Sequence, residues 1–201
     1  EEDERGTLLE HLLGTVPSEE LKQVILKQTG GNPFFVKEYV RLLQENGALI
    51  RVGDGWEQAT DLNKIPHFGK IEQVIQARLD KLTHSSRQVM QKGAVIGATF
   101  EEDLLKAIQD RIVNQTLEQD IEVLTERRLI DELGGHPYAY AFYHGLVHES
   151  VYKQLPQRVR QTVHRGVAKA LRELYGNQAD IYRLAHHYYH SNDRVNAIDY
   201  C

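Results

Sequence analysis

Residues 29–39, Thr-Gly-Gly-Asn-Pro-Phe-Phe-Val-Lys-Glu-Tyr, place a helix stop, a helix start and a proline within a few positions. Gly30 or Gly31 can take the left-handed conformation that closes a preceding helix. Asn32 is a strong N-cap, and Pro33 suits the first helical position, where no N–H is needed and the fixed φ is already helical. One sharp elbow between two helices is therefore specified. On spacing alone it is a well-made helix–helix corner.

The flanking sequence fits this elbow. Leu8, Leu9, Leu12 and Leu13 form one apolar stripe, and Leu21, Val24, Ile25 and Leu26 form a second after Pro17-Ser18-Glu19-Glu20, a helix start. With residues 33–46 this predicts about three helices. Residues 48–52 and 56–59 flank Gly53-Asp54-Gly55, a strong hairpin signal. Residues 60–68, with Pro66, read as a connector and a domain boundary. The helical period resumes at Lys70, and further helices are predicted at 85–97, 101–109 and 116–128. Residues 129–133 and 138–142 then bracket Gly134-Gly135-His136-Pro137 as a second hairpin, which gives helices followed by a ribbon, the order of a winged helix. Residues 33–59 echo that helix-then-hairpin order. Beyond Gly145 the chain reads as helical, at 146–155, 157–175 and 178–190 and again from Asp193. Val159, Val163, Val167, Ala170, Leu171 and Leu174 form one apolar face of the helix at 157–175. Arg158, Arg160, Arg165, Lys169 and Arg172 lie opposite, as a solvated face, with binding of an anionic partner as the other reading. Paired helices with Ala185, Tyr188, Ala197 and Tyr200 at small and aromatic positions have the look of the start of a helical-repeat array.

Composition removes several function classes. The chain has 201 residues, 41% of them apolar and 26% charged, the balance of an ordinary globular protein. A net charge of −5 gives no bulk attraction to nucleic acid or to anionic membrane. The single cysteine, Cys201, excludes an internal disulfide and fits a reducing cytoplasm. No run of about 18 apolar residues is present, and the acidic start Glu1-Glu2-Asp3-Glu4 is unlike a signal peptide. With no initiator methionine, and an end inside a helical pattern, the chain reads as an excised fragment. A phosphate-cradling Gly-x-x-x-x-Gly-Lys-Ser/Thr loop, a His-Glu-x-x-His zinc motif and a Gly-x-Ser-x-Gly nucleophile elbow are all absent. No catalytic residue is assigned.

Gly31-Asn32-Pro33 followed by Phe34-Phe35-Val36-Lys37-Glu38-Tyr39 resembles the Gly-x-Pro motif in the helical lid of the STAND class of AAA+-related signalling ATPases. The branch it resembles most is the predicted ATPase of multidomain bacterial regulators, often found beside adenylate cyclase, kinase or LuxR-type modules. A second match is Tyr140-Ala141-Phe142-Tyr143-His144-Gly145-Leu146-Val147-His148-Glu149-Ser150-Val151-Tyr152. It is similar to the winged-helix segment in which that family places a histidine near the β-phosphate of ADP. Animal and plant members follow the histidine with aspartate, where this chain has Gly145. Supporting matches run along 74–82, 93–100 and 184–188.

The resemblance implies a mainly α fold: a helical lid with a hairpin over residues 1–62, a winged-helix domain over 63–152 with short β-hairpins, and a repeat-like helical segment over 153–201. It implies that Gly31, Asn32, Pro33 and His144 face an adenine nucleotide, with ATP or ADP and magnesium held in the intact parent protein. This chain alone would hold no cofactor and hydrolyse nothing. Partners implied are the missing P-loop domain, an effector domain, and a protein bound through the C-terminal helices. The function implied is nucleotide sensing, with the winged helix as lever between closed ADP and open ATP states. Two other readings stand beside it: a DNA-binding winged-helix regulator and a helical protein-interaction module. Against the first, the helix before the wing carries Glu118, Asp120, Glu122 and Glu126, which repel phosphate. Arg78 reads as a solvated or salt-bridged side chain, with a nucleotide or interdomain contact as the other reading. His186 and His190 stand at i, i+4 with His187 between, which puts two imidazoles on one helix face. No third ligand carries a sequence signal, so aromatic packing with polar tips is the expectation and no metal ligand is assigned.

Overall fold

The computed structural model describes residues 2–59, 70–108, 116–135, 138–193 and 195–196, with only the backbone given for 2–6. Among these residues the protein is mainly α, with ten α-helices, five short strands and one 3-10 turn. The fold comprises two units, Glu1–Lys81 and Leu82–Cys201. The expected division at residues 62/63 falls outside the described residues.

In the first unit, α1 (Glu2–Leu13), α2 (Glu19–Thr29) and α4 (Ile71–Leu79) pack on α3 (Pro33–Glu45), and a hairpin of β1 (Leu49–Val52) and β2 (Gly55–Gln58) lies against α3 and α1. Ser18 caps α2 by accepting from the Leu21 N–H at 3.2 Å, with Glu19 and Glu20 in the first turn where the helix dipole favours negative charge. Leu9, Leu13, Leu21, Ile25, Val36, Tyr39, Leu43, Leu49 and Val74 form the core. α3 is its central element, and it buries Glu38 as well as its apolar face. That carboxylate is matched by two arginines, Arg41 at 2.7 Å and Arg78 from α4. Arg78 also grips Glu45, at 3.0 Å from Nη2 and 3.1 Å from Nε. Only 1% of Arg78 is exposed, so it is salt-bridged, as one of the expected readings has it, and not solvated. This network ties α4 to α3 and explains why residues 71–81 belong with the first unit.

The hairpin turn is the two-residue Gly53-Asp54, since Val52 pairs with Gly55. It packs on the end of α1. Gly14, at φ +66°, has no room for a side chain: a Cβ there would stand 2.7 Å from the Asp54 carbonyl oxygen. Gly30 has a similar φ of +58° but meets no heavy atom within 4 Å. Gly30→Ala is therefore expected to cost about 1 kcal/mol, from backbone strain alone. Gly14→Ala should cost about 2–3 kcal/mol, because strain and collision add. Urea midpoints of the two variants measure the difference, and equal losses would mean that the turn does not rest on α1.

The second unit is built on α5 (His84–Ile96), with β3 (Thr99–Glu101), α6 (Glu102–Ala107), α7 (Leu117–Glu126), β4 (Ile130–Glu132) and β5 (Ala139–Phe142) packed around it. The strands form an antiparallel sheet in the order β3-β5-β4. β3 was not expected from sequence. Phe100 on this strand lies against Gly93 of α5, where an added Cβ would come within 3.1 Å of the ring. Among the described residues the second hairpin thus has a third strand and the first stands as a pair. Asp120 lies inward on α7, fully buried, and accepts from the Ser85 hydroxyl and from the Ser86 hydroxyl at 2.7 Å. It is not part of the acidic surface expected on that helix, which reduces to the exposed Glu118, Glu122 and Glu126.

α8 (Gly145–Gln154), α9 (Gln157–Tyr175) and α10 (Ile181–His190) complete the unit. α10 starts later than expected because Asp180 caps it, accepting from the N–H groups of Tyr182 at 2.8 Å and Arg183 at 3.3 Å. The apolar face of α9 is shorter than expected: Val159 and Leu174 are 43% and 46% exposed, and burial centres on His164, Val167, Ala168, Ala170 and Leu171. On the basic face, Arg158, Arg165 and Lys169 are exposed, while Arg160 lies over the Tyr152 ring at 5.1 Å. Arg183 holds Glu101 in a two-pronged ion pair at 2.8 and 2.9 Å, which joins α10 to β3. The last helix expected from Asp193 runs into residues 197–201, outside those described. No helix among the described residues is long and apolar enough to cross a membrane.

Candidate functional site

The elbow at residues 29–33 forms as its composition demands. Gly30 is the left-handed C-cap of α2, and Gly31 is left-handed too, at φ +71°. The Thr29 hydroxyl donates back to the Ile25 carbonyl at 2.8 Å and accepts from the Gly31 N–H at 3.3 Å. The Asn32 N–H donates to the Thr29 carbonyl at 3.1 Å. The Gly31 and Asn32 N–H groups of the reversal are thereby satisfied within the turn. The Asn32 side chain then accepts from the Phe35 N–H at 3.1 Å and starts α3, with Pro33 as its first residue. Gly31 is buried, whereas Asn32 and Pro33 are exposed. The rigid proline ring stands at the surface over a helix that is anchored beneath it by Phe35, Val36 and Tyr39.

His144 stands at a strand-to-helix junction in the second unit. β5 ends at Phe142, and the Tyr143 N–H donates to the Leu129 carbonyl at 3.0 Å, which fixes the strand end against β4. His144 follows in extended conformation as the N-cap of α8, and its Nδ1 accepts from the Leu146 N–H at 3.1 Å. An Nδ1 that accepts requires the neutral ring to carry its proton on Nε2. The exposed imidazole therefore has a donor N–H at the positive end of a helix, an arrangement suited to a phosphate or carboxylate. Of the residues expected at the nucleotide, Gly31, Asn32 and Pro33 share one turn of the first unit, and His144 lies in the second.

One grouping escaped the sequence. His164 of α9 meets His186 and His187 of α10, so the i, i+4 histidine pair seen in sequence has a further imidazole beside it. The available signal was helical phase. His164 lies three and seven residues before Val167 and Leu171, on the face that packs inward.

Residues 1–57, the elbow among them, match the family described as Domain of unknown function (DUF8739). The chain is also similar to "Uncharacterized protein R02095" of Rhizobium meliloti (strain 1021), at 26% identity over 182 residues. That alignment takes in 89% of this chain and 17% of the relative, so the chain spans about a sixth of the length of the curated protein it matches. No solved structure matches the chain.

Proposed function

We propose that this chain is the nucleotide-sensing regulatory part of a longer, cytoplasmic signalling ATPase of the STAND class, switched between ADP and ATP states. The observation that carries the reading is His144, an exposed imidazole with its N–H on Nε2 at the start of α8, where the family resemblance expects a contact with the ADP β-phosphate. Two features support it. From α5 to β5 the second unit runs helix, strand, helix, helix, strand, strand, with the last strand central in the sheet, and this order is that of a winged helix. In the first unit the Asn32-Pro33 elbow stands exposed on a well-anchored helix.

On this reading the phosphates and magnesium are held by a separate P-loop domain, and the chain itself performs no phosphoryl transfer. Its Pro33 ring meets the adenine side, and His144 meets the phosphate that distinguishes the closed state. A switch of this kind needs contacts whose strength differs between the two states, and a single charge-assisted hydrogen bond from a moving domain supplies one. DNA binding through α7 is disfavoured, because its exposed Glu118, Glu122 and Glu126 would face phosphate.

The test is to purify the full-length protein, denature it and quantify the nucleotide released. Near-stoichiometric ADP is expected. Pro33→Ala should weaken retention of ADP and ATP alike, by roughly fivefold for about 1 kcal/mol of lost apolar contact. A full-length protein that carries no nucleotide and binds none when it is offered would refute the reading.

A further inference from the structure

Beside Tyr152, imidazoles from two helices converge. His164 of α9 and His187 of α10 are each 1% exposed, and their Nδ1 atoms face one another at 2.8 Å. His164 is held from behind, its Nε2 bonded to the Tyr152 hydroxyl at 3.0 Å. His186 presents its ring to the same point, with centroids 5.7 Å from His164 and 5.2 Å from His187. One nitrogen from each of these three lies within 4.8 Å of the other two. His190, one turn further along α10, stacks on His164 at 5.1 Å and lies 4.4 Å from His186.

We propose that His164, His186 and His187 form a binding site for one divalent transition-metal ion of the zinc and cobalt type. Three imidazoles with a fourth position open to water are a recognised ligand set for such an ion. Metal–nitrogen bonds of about 2.0–2.1 Å in tetrahedral geometry set the ligand nitrogens about 3.4 Å apart. The His164–His187 pair therefore opens by about half an ångström, while the exposed His186 swings in from the rim. Without metal the two Nδ1 atoms share one proton. When both bind metal, that proton moves to Nε2 of its own ring and both imidazoles remain neutral ligands. His164 then donates from Nε2 to the Tyr152 oxygen, the outer contact that commonly orients a metal-bound histidine.

The electrostatics agree with the geometry. Burial, with the neighbouring imidazoles adding to it, pushes His164 and His187 down to about 3, so their lone pairs are available at neutral pH. Burial and the adjacent His190 lower His186 as well. Because the ligands come from α9 and α10, a bound ion would staple these two helices together.

Cobalt(II), titrated into the untagged 201-residue chain after stripping with EDTA, tests the proposal. The expected result is saturation at one ion per chain, with the visible bands of four-coordinate cobalt. His186→Gln, at an exposed position that the fold tolerates, should weaken binding by at least about tenfold. His84→Gln, at an exposed histidine of α5 outside the cluster, should leave it unchanged. Absence of stoichiometric uptake, undiminished binding in His186→Gln, or an equal loss in both variants would overturn the site.

Discussion

Arg78→Met is expected to destabilise the Glu1–Lys81 unit by about 3–5 kcal/mol, the usual cost of removing one partner from a buried ion pair. The guanidinium is buried between Glu38 of α3 and Glu45 at the end of that helix. Taking it away strands the Glu38 carboxylate, itself fully buried, with Arg41 as the remaining cation among the contacts named above. The packing that α4 makes on α3 weakens at the same time. Most of the loss comes from a buried carboxylate left with one arginine in place of two, so a second change should recover part of it. Arg78→Met combined with Glu38→Gln is expected to be more stable than Arg78→Met alone, since a neutral amide is cheaper to bury than a carboxylate that has lost one of its two arginines. Urea midpoints, with unchanged m values as the check on two-state behaviour, read both effects. Losses that simply add in the double variant would mean that the two side chains do not form one unit.

This ion pair also marks the limit of what the sequence conveys. The elbow at 29–33 was legible because its signals are local: glycines that tolerate positive φ, an asparagine that caps, and a proline that needs no N–H. The Gly53-Asp54 hairpin and the long helix α9 were legible for the same reason. β3 was not, because three residues, Thr99-Phe100-Glu101, carry no period of their own and become a strand only by pairing with β5 some forty residues later. Arg78 and Asp120 show a related failure. A charge on an amphipathic helix reads as solvent-facing, and only the fold brings Glu38 to one and Ser85 with Ser86 to the other. For the candidate site, the Asn32-Pro33 corner and the strand-to-helix position of His144 were both legible. The capping bond from Leu146 that fixes the His144 tautomer was not. His164 stayed hidden because its partners lie on a different helix.

The second large effect is predicted at His144 in the full-length protein, where its Nε2–H is proposed to stabilise the ADP-bound closed form over the ATP-bound open form. Loss of one hydrogen bond to a charged group costs roughly 1.5–3 kcal/mol, or about tenfold to a hundredfold in affinity. If the resting bias is of similar size, such a shift releases substantial activity without stimulus. His144→Ala also removes the N-cap of α8, a separate cost of about 0.5–2 kcal/mol. His144→Asn separates the two roles, since asparagine is a good cap but its shorter side chain does not reach where the imidazole N–H does.

The direct measurement is ADP and ATP affinity, side by side, for the full-length protein and for His144→Asn, with folding checked by circular dichroism. The account predicts that ADP affinity falls by about tenfold or more while ATP affinity changes by much less. Unchanged ADP affinity in a folded His144→Asn protein would contradict it and leave His144 as a helix cap alone.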